Sequence, residues 1–249
     1  MKKLMAANWK MFKTYAEACS TAREIVAGVG NVPDDREVLI IPPFTALKGV
    51  GEVMAGASGF FLGAQNFYPA EQGAFTGEIS PDQLTDLGAE FVLVGHSERR
   101  HVLGERDEFL NSKVLYALQT GLKVILCIGE TLEQRKAGRV HEILGSQLEN
   151  GLSGVSRDIT ADNLVVAYEP VWAIGTGEVA QNEDIAQAHA FVRKKMNDLL
   201  QNGNEIRVLY GGSVKAENCT EIISLDNVDG VLVGGASLRG DSFTQIVLA

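Results

Sequence analysis

The sequence predicts an α/β fold of one class, a (β/α)8 barrel with eight parallel strands inside an outer ring of helices. Three observations predict it. Eight short apolar segments recur at even spacing, and segments of helical period lie between them. The repeat, 249 residues over eight units or about 31 residues each, has the length of a strand-helix unit that closes on itself.

The apolar segments are KLMAANWK from Lys3, EVLIIPPF from Glu37, GFFLGAQN from Gly59, EFVLVGHS from Glu90, KVILCIGE from Lys123, NLVVAYEP from Asn163, IRVLYGGS from Ile206 and VDGVLVGGAS from Val228. They are near-continuous rather than alternating, which is the pattern of strands buried on both faces of a parallel sheet. Between them, Thr14 and Glu17 form a capping box ahead of Ala18, Ala22, Ile25, Val26 and Val29. A second helix runs through Ile185, Ala188, Val192, Met196 and Leu199, with Gly203 as its expected stop. The stretch from Lys48 to Ser58 is small and glycine-rich and carries no clear period. No Pro/Ser-rich linker or low-complexity tract divides the chain, so one domain over residues 1–249 is expected. An open doubly wound sheet is the competing architecture, and eight evenly spaced buried strands favour closure.

Composition narrows the function. Lys+Arg number 22 against 32 Asp+Glu, a net charge of -10, which argues against nucleic acid or an anionic membrane as partner. An anionic ligand must therefore be held by local features. The basic start, MKKLMAANWKMFK, has too short an apolar run for a signal-peptide core, so a cytoplasmic chain is expected. Cys19, Cys127 and Cys219 form no C-x-x-C motif, and His96, His101, His141 and His189 have no chelating helical spacing, so no metal site is expected.

In this architecture functional groups belong at the carboxyl ends of the strands. The candidates there are Asn8, Lys10, Gln65, His96, Glu98, Glu130, Glu169, Gly211 to Ser213, and Gly234 to Ser237. Glu169 closes a strand of leucine, valine and alanine, and partial burial against apolar walls makes a carboxylate a stronger base toward carbon acids. A structural carboxylate paired with a nearby cation is the plain alternative. The segment after it, Pro170, Val171, Trp172, Ala173, Ile174, Gly175, Thr176 and Gly177, combines an apolar tip with glycine hinges, as a water-excluding lid requires. GTGEVA from Gly175 also fits G-x-G-x-x-A, but a dinucleotide fingerprint turns directly off a strand, and this one does not.

His96, in VGHSERR, stands at a strand end where a helix begins. The positive end of the helix disfavours imidazolium, and a neutral ring can donate to a carbonyl oxygen. The plain alternative is a satisfied structural histidine, with Ser97 and Glu98 no more than the cap and first-turn acid of that helix. Lys10 offers an ammonium for a phosphate or a developing oxyanion. YGGS from Tyr210 and VGGAS from Val233 end the last two strands, where paired glycines let backbone N–H groups approach an anion. A base, an electrophile, a cation, a phosphate cradle and a lid together describe proton abstraction beside a carbonyl in a small phosphorylated substrate.

NWKM at Asn8, GAQN at Gly63, GAFTGEIS at Gly73, VGHSERR at Val94, CIGE at Cys127, AYEPVWAIGTG at Ala167, YGGS at Tyr210 and LVGGASL at Leu232 resemble the blocks of the triosephosphate isomerase family, in its order. The resemblance covers essentially the whole chain. It implies interconversion of dihydroxyacetone phosphate and glyceraldehyde 3-phosphate through an enediolate, with a glutamate base, a neutral histidine electrophile and loop closure, for which that family is a standing example of acid/base tuning. By position it implies that Glu169 shuttles the proton and His96 polarises the carbonyl. Asn8 and Lys10 would bind substrate, Glu98 would orient the site, and Cys127 would be a buried supporting thiol. Gly175, Ser213, Gly234 and Gly235 would hold the phosphate, with no metal or organic cofactor. The loop from Gln65 to Glu78, with Phe67, Tyr68 and Phe75, would insert into a second copy beside Lys10 in a homodimer; a self-packed loop is the alternative.

Phe12 stands where the family more often has asparagine, and Glu178 and Val179 where lysine and threonine are usual. The first departure bears on packing of the first loop and the other two on lid kinetics. A barrel that binds phosphosugars without turning them over is the competing function; the set Lys10, His96 and Glu169 argues against it, since a binding module needs no base. Another phosphate-binding barrel, a lyase or synthase, would call for further lysines at strand ends.

Overall fold

The structure, a computed structural model, describes residues 1–174 and 178–249. Its eight strands are β1 (Lys3–Asn8), β2 (Arg36–Ile41), β3 (Phe60–Ala64), β4 (Phe91–Val94), β5 (Lys123–Ile128), β6 (Leu164–Tyr168), β7 (Arg207–Tyr210) and β8 (Gly230–Val233). All pair in parallel in chain order, and β8 returns to β1 in the register Leu4↔Gly230 to Ala7↔Val233, so the sheet closes and leaves no edge. The open-sheet alternative is thereby excluded.

The described residues form ten α-helices around this barrel: α1 (Tyr15–Val29), α2 (Leu47–Met54), α3 (Pro81–Asp86), α4 (Ser97–His101), α5 (Asp107–Gln119), α6 (Leu132–Lys136), α7 (Val140–Gly151), α8 (Asn182–Leu199), α9 (Ala216–Ser224) and α10 (Gly240–Leu248). At the start of α1 the Glu17 carboxylate accepts from the N–H and hydroxyl of Thr14, as the spacing predicts. The glycine-rich stretch around Lys48 is α2. Its Gly49 is needed for packing, because a Cβ there would lie 2.6 Å from the Tyr15 ring and 2.7 Å from Cys19 Sγ on α1. Gly203 does not stop α8, which ends at Leu199. It instead backs onto that helix, where a Cβ would meet the Met196 carbonyl carbon at 2.4 Å.

The strand pleat explains both cores. Leu4, Ala6, Leu39, Ile41, Phe91, Leu93, Ile125, Cys127, Val165, Ala167, Leu209 and Leu232 fill the barrel. The intervening residues, such as Met5, Val38, Val92, Leu126, Val166 and Val208, pack outward against the helices. Each strand is buried on both faces, hence the unbroken apolar runs. Continued one step past the last inward residue, the same alternation places Asn8, Glu169, Gly211 and Gly234 toward the axis at the mouth.

Two outward tyrosines, Tyr168 and Tyr210, meet His189 of α8, whose ring stands edge-on to Tyr168 at 5.9 Å between centroids. His189 is fully buried. Its Nδ1 lies 2.9 Å from the Asn227 carbonyl oxygen, which fixes the proton there, and Nε2 has no hydrogen-bond partner among the described residues. Burial therefore lowers its pKa to about 4. The folded value lies below the unfolded one of about 6.5. The neutral ring's contribution is therefore complete above pH 6.5 and is lost as pH falls through 4, a span worth about 3 kcal/mol. The expected result of unfolding titrations is a decline in stability from pH 7 to 4 that is shallower in His189→Asn; parallel curves would show that this ring does not titrate as described.

Candidate active site

A cavity of about 770 Å³ opens at the carboxyl ends of the strands. Asn8, Lys10, His96, Glu98, Glu169, Ile174, Ser213, Gly234 and Gly235, all expected from the sequence, line it. The expected Gly211 and Gly212 line it as well, together with Phe12, Leu232 and Arg239, which are not strand-end candidates.

Glu169 follows the last residue of β6 and is 2% exposed. Its Oε2 accepts from the Ser97 backbone N–H at 2.9 Å, and its Oε1 lies 3.1 Å from His96 Nε2. Glu169 at the end of β6 and His96 just beyond β4 thus meet at the barrel mouth. The Glu169 backbone depends on a close approach to the end of β5, since its N–H donates to the Ile128 carbonyl at 2.7 Å and a Cβ on Gly129 would fall 1.7 Å from the Glu169 carbonyl oxygen. Only glycine fits in CIGE at that point.

His96, rather than Ser97, caps α4: its Nδ1 accepts from the Glu98 backbone N–H at 3.3 Å. That bond occupies the Nδ1 lone pair and leaves the ring proton on Nε2, the nitrogen facing the cavity. The Glu98 carboxylate, 3.6 Å from Nδ1, is too distant to compete. It instead receives Lys10 Nζ at 2.6 Å.

Lys10 lies two residues beyond β1, with a positive φ of 50°. Such a conformation persists where surroundings impose it. Here the Lys10 N–H donates to Asn8 Oδ1 at 3.0 Å, and the Lys10 carbonyl accepts from Gln65 Nε2 at 2.7 Å. Opposite, a Cβ on Gly234 would sit 3.1 Å from Lys10 Cε, whereas one on Gly235 would meet nothing within 4 Å. Gly234 therefore makes room for the lysine, and Gly235 borders open cavity.

The glycines of YGGS have a different use from the expected one. A Cβ on Gly211 would lie 2.8 Å from Glu169 Cγ, and one on Gly212 would lie 2.2 Å from the Tyr210 hydroxyl. They clear space for the Glu169 side chain and for a tyrosine before they can serve an anion. Sequence reasoning missed this because it depends on which neighbours the strand ends bring together.

Of the lid, Pro170, Val171, Trp172, Ala173 and Ile174 are described; Gly175, Thr176 and Gly177 lie outside the described residues. Val171–Ala173 is a 3-10 turn. Trp172 Nε1 donates to Glu130 Oε1 at 2.9 Å, and the Tyr168 hydroxyl donates to the same oxygen at 3.2 Å. Glu130, a strand-end candidate without an assigned role, is thus a buried anchor for the start of this segment. The Arg135 guanidinium covers the Trp172 ring at 4.7 Å. Cys127 lies inside the barrel, where burial first and the Glu169 carboxylate second push its thiol well above the usual range, so it stays protonated. Among the described residues no group of three or more His, Cys, Asp or Glu is placed to hold a metal ion.

The family model for triosephosphate isomerase matches residues 3–249. The chain belongs to that family. It is 57% identical over 250 residues to the triosephosphate isomerase of Oleidesulfovibrio alaskensis, covering 100% of each chain. It is 45% identical to that of Aquifex aeolicus over 99% of each. The crystal structure of triosephosphate isomerase from Bartonella henselae superposes with a TM-score of 0.89 at 40% identity, over 99% of this chain and 98% of that one. The protein is accordingly an isomerase that interconverts triose phosphates.

In Gly211→Ala the new methyl would displace the Glu169 side chain. The expected effect is a fall in kcat of about 10- to 100-fold, from misplacement of the Glu169 carboxylate by a fraction of an ångström to an ångström. Steady-state kinetics check this, and an unchanged kcat would show that the observed seat of Glu169 is not the one used.

Proposed function

We propose that Glu169 is the proton-transferring base of this isomerase and His96 its electrophile. One observation carries the reading: Glu169 Oε1 and His96 Nε2 lie 3.1 Å apart on one wall of a cavity that Lys10 and the Gly234–Gly235 backbone also line. With dihydroxyacetone phosphate bound, the Glu169 carboxylate exchanges its Ser97 contact for the substrate and takes a proton from C1. The C1–H electrons form the C1=C2 bond, and the carbonyl π electrons move to O2. The charge developing on O2 meets the Nε2 proton of His96 and the Lys10 ammonium, aimed by Glu98. Return of the proton to C2, with transfer of a proton from O1 to O2, yields glyceraldehyde 3-phosphate. Asn8, Ser213, Gly234 and Gly235, with Gly175, orient the substrate and its phosphate. The lid segment that begins with Pro170 to Ile174 closes over them, keeping the enediolate from water and from loss of phosphate. No metal or organic cofactor enters this scheme.

The chain acts as one domain in the cytoplasm and pairs with a second copy through the loop at 65–78. Supporting the pairing, Met11 is 95% exposed and Phe12, Phe75, Val102 and Leu103 are exposed beside it in sequence or at the same end of the barrel. The Phe75 ring packs on Tyr68 at 4.3 Å, so the loop is internally ordered while presenting apolar surface. The three cysteines are unpaired, which suits a reducing compartment.

Isotope exchange tests the proton route. Dihydroxyacetone phosphate turned over in D₂O without added metal or cofactor is expected to give glyceraldehyde 3-phosphate carrying deuterium at C2; label-free product would point to a hydride shift and defeat the scheme. Lys10→Met is expected to lower kcat/KM by about 100-fold or more, by removing a charge that serves substrate and transition state. A loss under about threefold would remove Lys10 from the site.

A further inference from the structure

The two arginines of VGHSERR have no place in the scheme above, and Arg100 is not among the residues that line the cavity. We propose that Arg100 is a positioning residue whose guanidinium fork fixes the ends of β4 and β5, and through them the placement of His96 relative to Glu169. The inference rests on His96 being the electrophile.

The β4–β5 ladder ends in the register pair Val94↔Leu126. Gly95 then turns out of strand geometry at a φ of 76°, so the carbonyls of Gly95 and Cys127 pass beyond regular ladder partners. Arg100 supplies the donors. Its Nε reaches the Gly95 carbonyl at 2.8 Å and the Cys127 carbonyl at 3.3 Å, and Nη2 reaches the Cys127 carbonyl at 3.2 Å. Its backbone N–H donates to the His96 carbonyl at 3.1 Å. One residue therefore holds the carbonyls on both sides of the His96 Cα. A Cβ on Gly95 would lie 2.9 Å from Nη2, so the glycine lets the guanidinium lie against the turn.

The other end of the fork reaches the base by a short path. Cys127 precedes Ile128, whose carbonyl takes the Glu169 N–H at 2.7 Å. The guanidinium thus joins the strand end that carries the electrophile to the one that supports the base. Its charge is paired with Asp107 Oδ1 at 2.5 Å, and the side chain is 8% exposed. So paired, it adds little field at the cavity and acts through geometry. Lysine cannot replace it, because an ammonium on a flexible stem lacks the planar fork that spans two carbonyls and a carboxylate.

The test uses the full chain, with steady-state kinetics on glyceraldehyde 3-phosphate for Arg100→Ala, Arg100→Lys and His96→Gln. Arg100→Ala is expected to lose about 10- to 100-fold in kcat while KM stays within about threefold, because the substrate-binding groups are untouched. Millimolar guanidinium should restore part of that loss, a response that general loosening of the barrel would not give. Arg100→Lys should fall between wild type and Arg100→Ala. A kcat within about twofold of wild type in both Arg100 variants overturns the proposal, as does a joint deterioration of kcat and KM that guanidinium does not relieve. Should Arg100→Ala fail to fold, Arg100→Lys decides: reduced kcat at constant KM supports the role, and wild-type kcat overturns it. If His96→Gln retains full kcat, the reading of the electrophile is at fault, whatever the Arg100 variants do.

Discussion

The parallel ladder that closes between β8 and β1 is the constraint on which the rest of this molecule depends. Once it closes, the pleat has one face toward a packed interior and one toward the helices, and every strand must be apolar on both. On the carboxyl side, the first inward position beyond that interior is where a strand presents a polar group to the mouth without burying it in the packed core. Asn8 and Glu169 occupy such positions, and at Gly211 and Gly234 the same position is left small so that Glu169 and Lys10 can pass. Chemistry at the mouth is thus a continuation of the alternation that builds the core.

Charge at the mouth is held in pairs rather than left as an open field. Lys10 meets Glu98, Glu169 meets the Ser97 N–H and His96 Nε2, and Glu130 holds Trp172 and Tyr168. In a chain of net charge -10, Lys10 is a local positive charge that the mouth offers a negatively charged substrate. Each partner also fixes a direction. Glu98 aims an ammonium through its side chain and, through its backbone N–H, sets the tautomer of the histidine two residues before it. A short stretch of VGHSERR therefore contacts Lys10 and Glu169 and orients the ring of His96.

The sequence made the architecture legible because burial on both faces leaves a continuous apolar signature, and the strand ends then named Glu169, His96 and Lys10. What it hid were relations across the barrel. The use of Gly211 and Gly212 depends on side chains from β6 and β7, the anchoring of Trp172 by Glu130 joins residues 42 apart, and the fork of Arg100 spans β4 and β5. Local rules misplaced a cap and a stop for a similar reason. Ser97 is the better intrinsic cap, but its N–H is committed to Glu169 and the ring of His96 takes the capping role. Gly203 looks like a helix stop, yet its lack of a side chain is used to pack against the Met196 backbone.

The measurement that tests the account most directly is kcat of Glu169→Gln against wild type, in a protein whose fold is verified by circular dichroism. Glutamine keeps the shape and can occupy the same seat, but it cannot accept the carbon-bound proton. The account predicts a fall of about 10²- to 10⁴-fold in kcat with KM little changed. Turnover close to wild type would contradict it, and the base would have to be sought elsewhere in the cavity.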